Sequence, residues 1–302
     1  MFFPGRNKRH TYGILLITVA VALLCLALGG CVNQYPEGQG GPKVVSGHER
    51  VVATSRAVVE IMTRLDVDII GVPKSELEQS KRHAGAANVG ASMNPDMEII
   101  RSLQSDWVFC PRSLEASLKS RFEAARVDVA FLNLRSIDGM YSAIAGLGPL
   151  LAREQEAQAL VAEYETFKAQ YRQEVLTGEP PRVLILMGLP GSYLVATENS
   201  YIGSLVAMTG AVNVYGEERA EFITVNTEDM LSRNPDIILR AAHALPKDVV
   251  DMFDKEFQEN DIWKHFKAVE TGKVYDLPYE QFGMSATFEY PQALETLRDI
   301  FR

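Results

Sequence analysis

The chain has 302 residues, 47% of them apolar, and its 39 acidic and 30 basic residues give a formal charge of −9. Such an acidic surface excludes nucleic acid as a natural partner. The length suffices for one large α/β domain or two lobes, each with its own core.

The first thirty residues read as a leader. Arg6, Lys8, Arg9 and His10 form a basic segment, an apolar run extends from Tyr12 to Leu28, and LGGC closes it at Cys31. This is the pattern of a cleavable signal peptide with a cysteine positioned for lipidation. A permanent anchor helix is the alternative, because the run is almost long enough to span a bilayer; the fit of LGGC to a lipobox at every position favours cleavage. Processing leaves 272 residues from Cys31, and losing Arg6, Lys8 and Arg9 takes the charge from −9 to −12. Cys25 leaves with the leader and Cys31 carries acyl chains such as palmitate. Cys110 then has no thiol to pair with in the mature chain. The expected location is the outer face of the cell membrane of a Gram-positive type cell, held by more than one acyl chain.

Residues 31–49, rich in Gly, Pro and polar residues, form a flexible tether. Strands and helices then alternate. RVVAT from Arg50, DIIGVP from Asp68, DWVFC from Asp106 and DVAFLNL from Asp128 predict strands, and SRAVVEIMTRL from Ser55 predicts a helix capped by Thr54 or Ser55. That alternation implies a mostly parallel sheet covered on both faces. From Ser136 to about Val175 no strand pattern appears, and AREQEAQALVAEYETFKAQYRQEV predicts one helix of 25 residues or more. PRVLILMGL from Pro181, DIILRAA and KVYDLPY open a second strand–helix series. The organisation is therefore an N-terminal α/β lobe over 50–137, a linking helix region over 138–176 and a C-terminal α/β lobe over 177–302. The alternative is one doubly wound domain with a long crossover helix. An internal echo supports two lobes: Glu98 stands eight residues before Asp106 and Glu228 eight before Asp236, each at the start of a short helix feeding a buried strand.

Motifs for catalysis are missing. GLPGSYL, from Gly188, is neither a nucleophile elbow nor a phosphate or dinucleotide loop, and a plain turn explains it as well as a ligand contact does. No HExxH occurs, and the mature histidines at 48, 83, 243 and 265 are scattered. No catalytic residue is assigned. His243 follows a buried strand, where a structural role is the default and a position at a cleft mouth the alternative. Met93 lies on a Gly/Ala/Ser/Asn loop before a helix, an unusual place for a core methionine. An imidazole and a thioether can supply the two axial ligands of haem iron, one pairing among many that the residues alone allow.

Several segments carry a more specific signal: PRVLILMGLPGSYLVATENSYIGSLV, NPDIILRAAHALP, MFDKEF with NDIWKHFKAV, and NLRSIDGM. Through them the chain from about Arg50 onward resembles the haem-binding lipoproteins of iron-regulated surface determinant uptake systems, substrate-binding proteins of ABC importers. The resemblance implies a class III binding-protein fold, two three-layer α/β/α lobes joined by a single long backbone helix with little hinge motion. It implies iron ligation by Met93 in VGASMNPDMEII and His243 in ILRAAHALP, with haem b as the transported ligand. The sequence departs from the family pattern at Ala91–Ser92. The wider class, which also carries siderophores and cobalamin, docks on its permease through one glutamate per lobe; Glu98 and Glu228 match those positions. The implied partners are haem, the permease and its ATPase, and an upstream haem-donor surface protein, with the chain itself monomeric.

Haem propionates are anionic and the chain is acidic, so local donors must hold them. The backbone amides at the start of the first helix, Ala53 to Val58, with Thr54, Ser55 and Arg56, are the candidates. Tyr193, Tyr201, Phe282 and Met284 are candidates for the pocket faces; core packing explains them nearly as well. Rival readings are a ferric-siderophore or corrinoid carrier of the same class, a haem-dependent enzyme on this scaffold, and an anchored adhesion module.

Overall fold

The computed structural model describes residues 49–74, 81–171, 179–243 and 245–302, the side chain of Lys81 excepted. The leader, Cys31 and nearly all of the expected tether lie outside the described residues. Among those described, no helix is long and apolar enough to cross a membrane.

The first lobe is built on a five-stranded parallel sheet. Its strands are β1 (Val51–Ala53), β2 (Ile69–Val72), β3 (Ala87–Asn88), β6 (Trp107–Pro111) and β7 (Ala130–Leu132), in the order β3-β2-β1-β6-β7. A separate two-stranded hairpin, β4 (Gly90–Ala91) and β5 (Asn94–Pro95), follows β3. Helices α1 (Arg56–Arg64), α2 (Met97–Ser102) and α3 (Glu115–Ala125) complete the lobe. Alternation along the strands sorts the core into two layers. Val52, Val108 and Cys110 face Ile100 of α2 and Leu118 and Phe122 of α3. Val51, Ala53 and Phe109 face Val58, Ile61 and Met62 of α1. Covering helices on both faces explain why these strands read as continuous apolar runs.

Two helices follow: α4 (Ile137–Leu150), which the sequence pattern did not single out, and α5 (Glu154–Tyr171), the expected linking helix. They run antiparallel. Tyr141 stacks on Tyr164 with ring centroids 4.2 Å apart, and a Cβ on Gly148 would come within 2.8 Å of the Ala157 methyl. The long linking helix is thus one arm of a hairpin. Its described part has 18 residues, about 27 Å at 1.5 Å per residue.

The second lobe carries a mixed sheet. Its strands are β8 (Arg182–Leu189), β9 (Ser192–Ala196), β10 (Val212–Asn213), β11 (Phe222–Ile223), β12 (Ile237–Ala242) and β13 (Val274–Asp276). The order is β11-β9-β8-β12-β13, with β10 also on β8. GLPGS is the turn of the antiparallel β8–β9 hairpin; Pro190 precedes Gly191, whose φ of 82° a glycine adopts freely. Around the sheet lie α6 (Tyr201–Thr209), α7 (Thr227–Ser232), α8 (Pro246–Glu259), α9 (Lys267–Glu270) and α10 (Tyr290–Phe301). Leu184, Leu186 and Ile238 pack on Val249, Phe253 and Trp263. The opposite face, with Val183, Ile185 and Leu239, shares one continuous core with α4, α5, α6, α10 and the inner layer of the first lobe. The two sheets therefore meet through helices, not across an open gap alone.

The echo in the sequence is a repeat in three dimensions. Asp96 caps α2 and Asn226 caps α7. The guanidinium of Arg50, just before β1, donates to the carbonyl of Leu103, the C-cap of α2, at 2.9 Å; that of Arg182, opening β8, donates to the carbonyl of Arg233, the C-cap of α7, at 2.8 Å. The backbone N–H of each arginine donates to the aspartate before the partner strand, Asp106 at 2.8 Å and Asp236 at 3.0 Å. Each short helix is thus tied to the leading strand of its own lobe by the same set of bonds.

Glycine is obligatory at Gly203 in α6, where a Cβ would lie 1.9 Å from the Thr197 carbonyl oxygen, whereas Gly85 has open space around it. Gly203→Ala is expected to destabilise the chain by about 2–3 kcal/mol and Gly85→Ala by less than about 0.5 kcal/mol, measured as midpoint shifts in urea unfolding.

Candidate functional site

In open α/β sheets ligands bind beyond the carboxyl ends of the strands, where the strand order reverses. In the first sheet that point lies between β1 and β6, and the chain leaving β1 there is Thr54–Ser55. In the second it lies between β8 and β12, and the residue leaving β12 is His243. The carboxyl ends of the first sheet face the second lobe: Leu134, beyond β7, accepts from the Ala286 amide at 2.7 Å, and Arg135 Nε lies 3.8 Å from Glu221 Oε1.

His243 is held by its backbone, whose N–H donates to the Gly188 carbonyl at 2.9 Å and extends the β8–β12 pairing by one bond. The side chain is half-buried, and among the described residues no hydrogen bond reaches its imidazole. Burial alone pushes its pKa down, so the ring is neutral at neutral pH with a lone pair available to a metal.

Met93 lies in the two-residue turn of the β4–β5 hairpin, and 52% of its surface is exposed. The hairpin is anchored at the carboxyl end of β2. The Val89 amide donates to the Val72 carbonyl and the Lys74 amide to the Gly90 carbonyl, at 2.9 and 2.8 Å. A large apolar side chain exposed to this degree is uncommon: with Val212 and Leu245 it makes up the exposed large hydrophobics among the described residues. A thioether needs no deprotonation to bind iron, and it is the softer and weaker of these two donors.

At the start of α1, Ser55 Oγ accepts from the Val58 amide at 3.3 Å and caps the helix. Thr54 is buried, and its hydroxyl donates to the Phe109 carbonyl at 3.1 Å. Arg56 pairs with Glu60 at 2.9 Å. The Thr54 hydroxyl proton is engaged within the protein, while the head of α1 offers an anion its backbone amides, the Ser55 hydroxyl proton and the part of the Arg56 guanidinium beyond Nε.

The four pocket-face candidates diverge. Tyr201 and Phe282 have no accessible surface and belong to the shared core, which leaves no ring face for a ligand in this conformation. Tyr193 packs against Phe253 and Trp263, and its hydroxyl donates to Glu256 at 3.3 Å, which commits it to the outer layer of the second lobe. Met284 is half-buried in the segment between β13 and α10. Glu98 and Glu228 are both exposed, each at the second position of its six-residue helix. No group of three or more His, Cys, Asp or Glu close enough to hold a metal ion occurs among the described residues.

A family model described as periplasmic binding protein matches residues 51–280. The high-affinity heme uptake system protein IsdE of Staphylococcus aureus (strain bovine RF122 / ET3-1) is 36% identical over 289 residues, 95% of this chain and 96% of the relative. The crystal structure of S. aureus IsdE complexed with heme superposes with a TM-score of 0.80 at 37% identity, covering 84% of this chain and 98% of that one. An ABC transporter substrate-binding protein from Listeria monocytogenes EGD-e superposes at 0.78 with 45% identity and the same coverage of each chain.

Sequence reasoning missed the Arg135–Glu221 pair between the lobes. Nothing in the spacing of residues 86 positions apart could have shown it. Glu221 has only 15% of its side chain exposed, and its Oε2 has no hydrogen-bond partner among the described residues. Burial raises its pKa from 4.5 to about 7, against the opposing pull of Arg135. The folded state therefore holds a proton that the unfolded chain releases. The stability this contributes is complete below about pH 4.5 and is lost as pH rises through about 7. Glu221→Gln removes the titration. It is expected to gain on the wild type by an amount on the order of 2–3 kcal/mol between those limits, read from urea midpoints at pH 4.5 and 8.

Proposed function

The chain belongs to the periplasmic binding protein family, the solute-binding components of ABC transporters, and on that premise we propose that it captures haem outside the cytoplasmic membrane and presents it to a membrane permease. It is a binding protein and not an enzyme: the transport step is driven by ATP hydrolysis in the partner. Relatives at 36–37% identity whose names specify heme uptake and heme binding support the choice of cargo. The single observation in this chain that carries the reading is the half-buried imidazole of His243, with no hydrogen-bond partner among the described residues, at the strand-order reversal of the second lobe. The exposed thioether of Met93, on the hairpin of the first lobe, is its counterpart. A nitrogen and a sulfur donor of these types are what the two axial positions of a six-coordinate haem iron accept.

Ligand strength assigns different tasks to the two. Imidazole on a buried strand is the fixed, strong donor. Thioether on an exposed hairpin is the weak donor, released without a proton having to move. The apolar faces of the porphyrin are covered by the lobes, and the propionates are received by the backbone amides at the head of α1. Glu98 and Glu228 are the permease contacts. Their outward carboxylates, one per lobe, present a matched pair of negative charges to basic residues on the partner, and each is favoured by the helix terminus that bears it. Cys31 anchors the chain on the outer face of the membrane by its acyl chains, and a haem-bearing surface protein is the donor.

Two experiments test this reading. Titration of the purified chain with haemin should give a low-spin, six-coordinate Soret spectrum. His243→Ala should abolish it, Met93→Ala should weaken it, and the dimethyl ester of haemin should bind less tightly than haemin. Spectra unchanged in both variants reject the ligand pair, and a carrier of ferric siderophores would show no Soret band at all. In cells, Glu98→Lys with Glu228→Lys should leave haemin binding intact and reduce haem uptake at least about tenfold; normal uptake rejects the docking role.

A further inference from the structure

Leu245, two residues beyond His243, departs from local preference in three ways at once. It is the N-cap of α8, where Ser, Thr, Asp and Asn are favoured because their side chains bond the free amides; leucine makes no such bond. Its φ and ψ are 47° and 61°, the left-handed region that a Cβ disfavours by roughly 1–2 kcal/mol. And 41% of it is exposed although it is large and apolar. Asn, Gly or Asp at this position would relieve the strain. A residue that breaks several local rules with no gain inside the folded chain marks a functional constraint.

Resting on the haem reading above, we propose that Leu245 is a haem-contact residue: its side chain covers the porphyrin on the histidine side and shields the iron–imidazole bond from water. The fold keeps it at the site. His243 is pinned to Gly188, and at Gly188 itself a Cβ would lie 2.2 Å from Val249 of α8, so the first turn of that helix is drawn against the end of the sheet that carries the imidazole. Pro246 at the first helical position favours an extended conformation in the residue before it, so the left-handed geometry of Leu245 runs against that preference too. Of the three exposed large hydrophobics among the described residues, Met93 is the candidate iron ligand and Leu245 neighbours the other ligand, while Val212 opens β10, away from both. An exposed apolar side chain beside the histidine suits a flat apolar ligand, because burying it on binding supplies the hydrophobic term.

The test is haem dissociation from the purified full chain into excess apomyoglobin. Leu245→Asn should raise or maintain the thermal midpoint of the haem-free protein, since Asn tolerates the left-handed region. It should speed dissociation about tenfold, the factor that about 1.4 kcal/mol represents. Leu245→Met, which keeps the apolar contact, should dissociate within about twofold of the wild type. A Leu245→Asn rate within twofold of the wild type overturns the contact role while leaving the haem reading intact. A wild-type chain that forms no low-spin complex with haemin overturns both.

Discussion

Everything at the site depends on a strand that cannot slip. All six residues of β12 are buried, and it is paired in register on both sides, with β8 from Ile237 to Ala242 and with β13 from Ile238 to Arg240. A shift of one residue would turn its whole apolar set to the other face. It would also break an ion pair built into the register. Arg240 lies opposite Asp276, and its guanidinium makes a two-pronged contact with that carboxylate at 2.7 and 2.6 Å and a third bond to Asp254 at 2.9 Å. The same guanidinium lies over the rings of Phe253 and Phe257. Moving a nearly buried arginine off its carboxylate leaves a charge unpaired in apolar surroundings, which costs several kcal/mol. The height of His243 above the sheet is therefore fixed before any ligand arrives.

Met93 has none of this support. Its hairpin has two residues per strand, and the methionine side chain is exposed. A local shift there disturbs only a few backbone bonds. Separation of the lobes is a larger event, because the inner layers of both sheets share a core through α4, α5, α6 and α10. The strap after β13 adds to it: Ala286 is bonded to Leu134, Arg64 lies over the Phe288 ring at 4.8 Å, and Tyr290 packs edge-on against Tyr141, Tyr164 and Phe167. The low-cost motion here is thus that of the β4–β5 hairpin.

Much of the fold was legible because buried parallel strands announce themselves as apolar runs bounded by Asp, Gly and Pro. RVVAT, DIIGVP, DWVFC, DVAFLNL, PRVLILMGL, DIILRAA and KVYDLPY all lie on strands, and Ser55 does cap the helix it was expected to cap. What escaped was short or set by long-range contact. β3, β4, β5, β10 and β11 have two residues each, too few for a period to show. The long linking helix was legible, but the helix before it, α4, was not singled out; GLGPLLAREQ contains the break between them, where Ala152 takes a φ of 52°. For the site, residue type pointed to Met93 and His243, but residue type cannot separate a ring in a core from a ring at a cleft. Tyr201 and Phe282 carry the same aromatic signal as a pocket wall and are buried by packing that only the tertiary fold determines. Leu245 did leave a trace: a Leu-Pro pair opening an amphipathic helix puts an apolar residue at the cap.

The repeated clamps around α2 and α7 explain how two short helices can serve as fixed features. Six residues give fewer than two turns, and an isolated helix of that length does not persist in water. Here each is closed at both ends. Asp96 accepts from the amides of Glu98 and Ile99 at 3.0 Å, and Asn226 from that of Asp229 at 2.8 Å. At the other end Arg50 and Arg182 hold the terminal carbonyls, where a cation also meets the negative end of the helix dipole. Since both arginines sit at the heads of strands in the two sheets, and the sheets are joined through a common core, the separation of Glu98 and Glu228 is set by the rigid part of the molecule. The two exposed carboxylates therefore stand on helices that are clamped to the leading strands of the two sheets, whatever the hairpin that bears Met93 does.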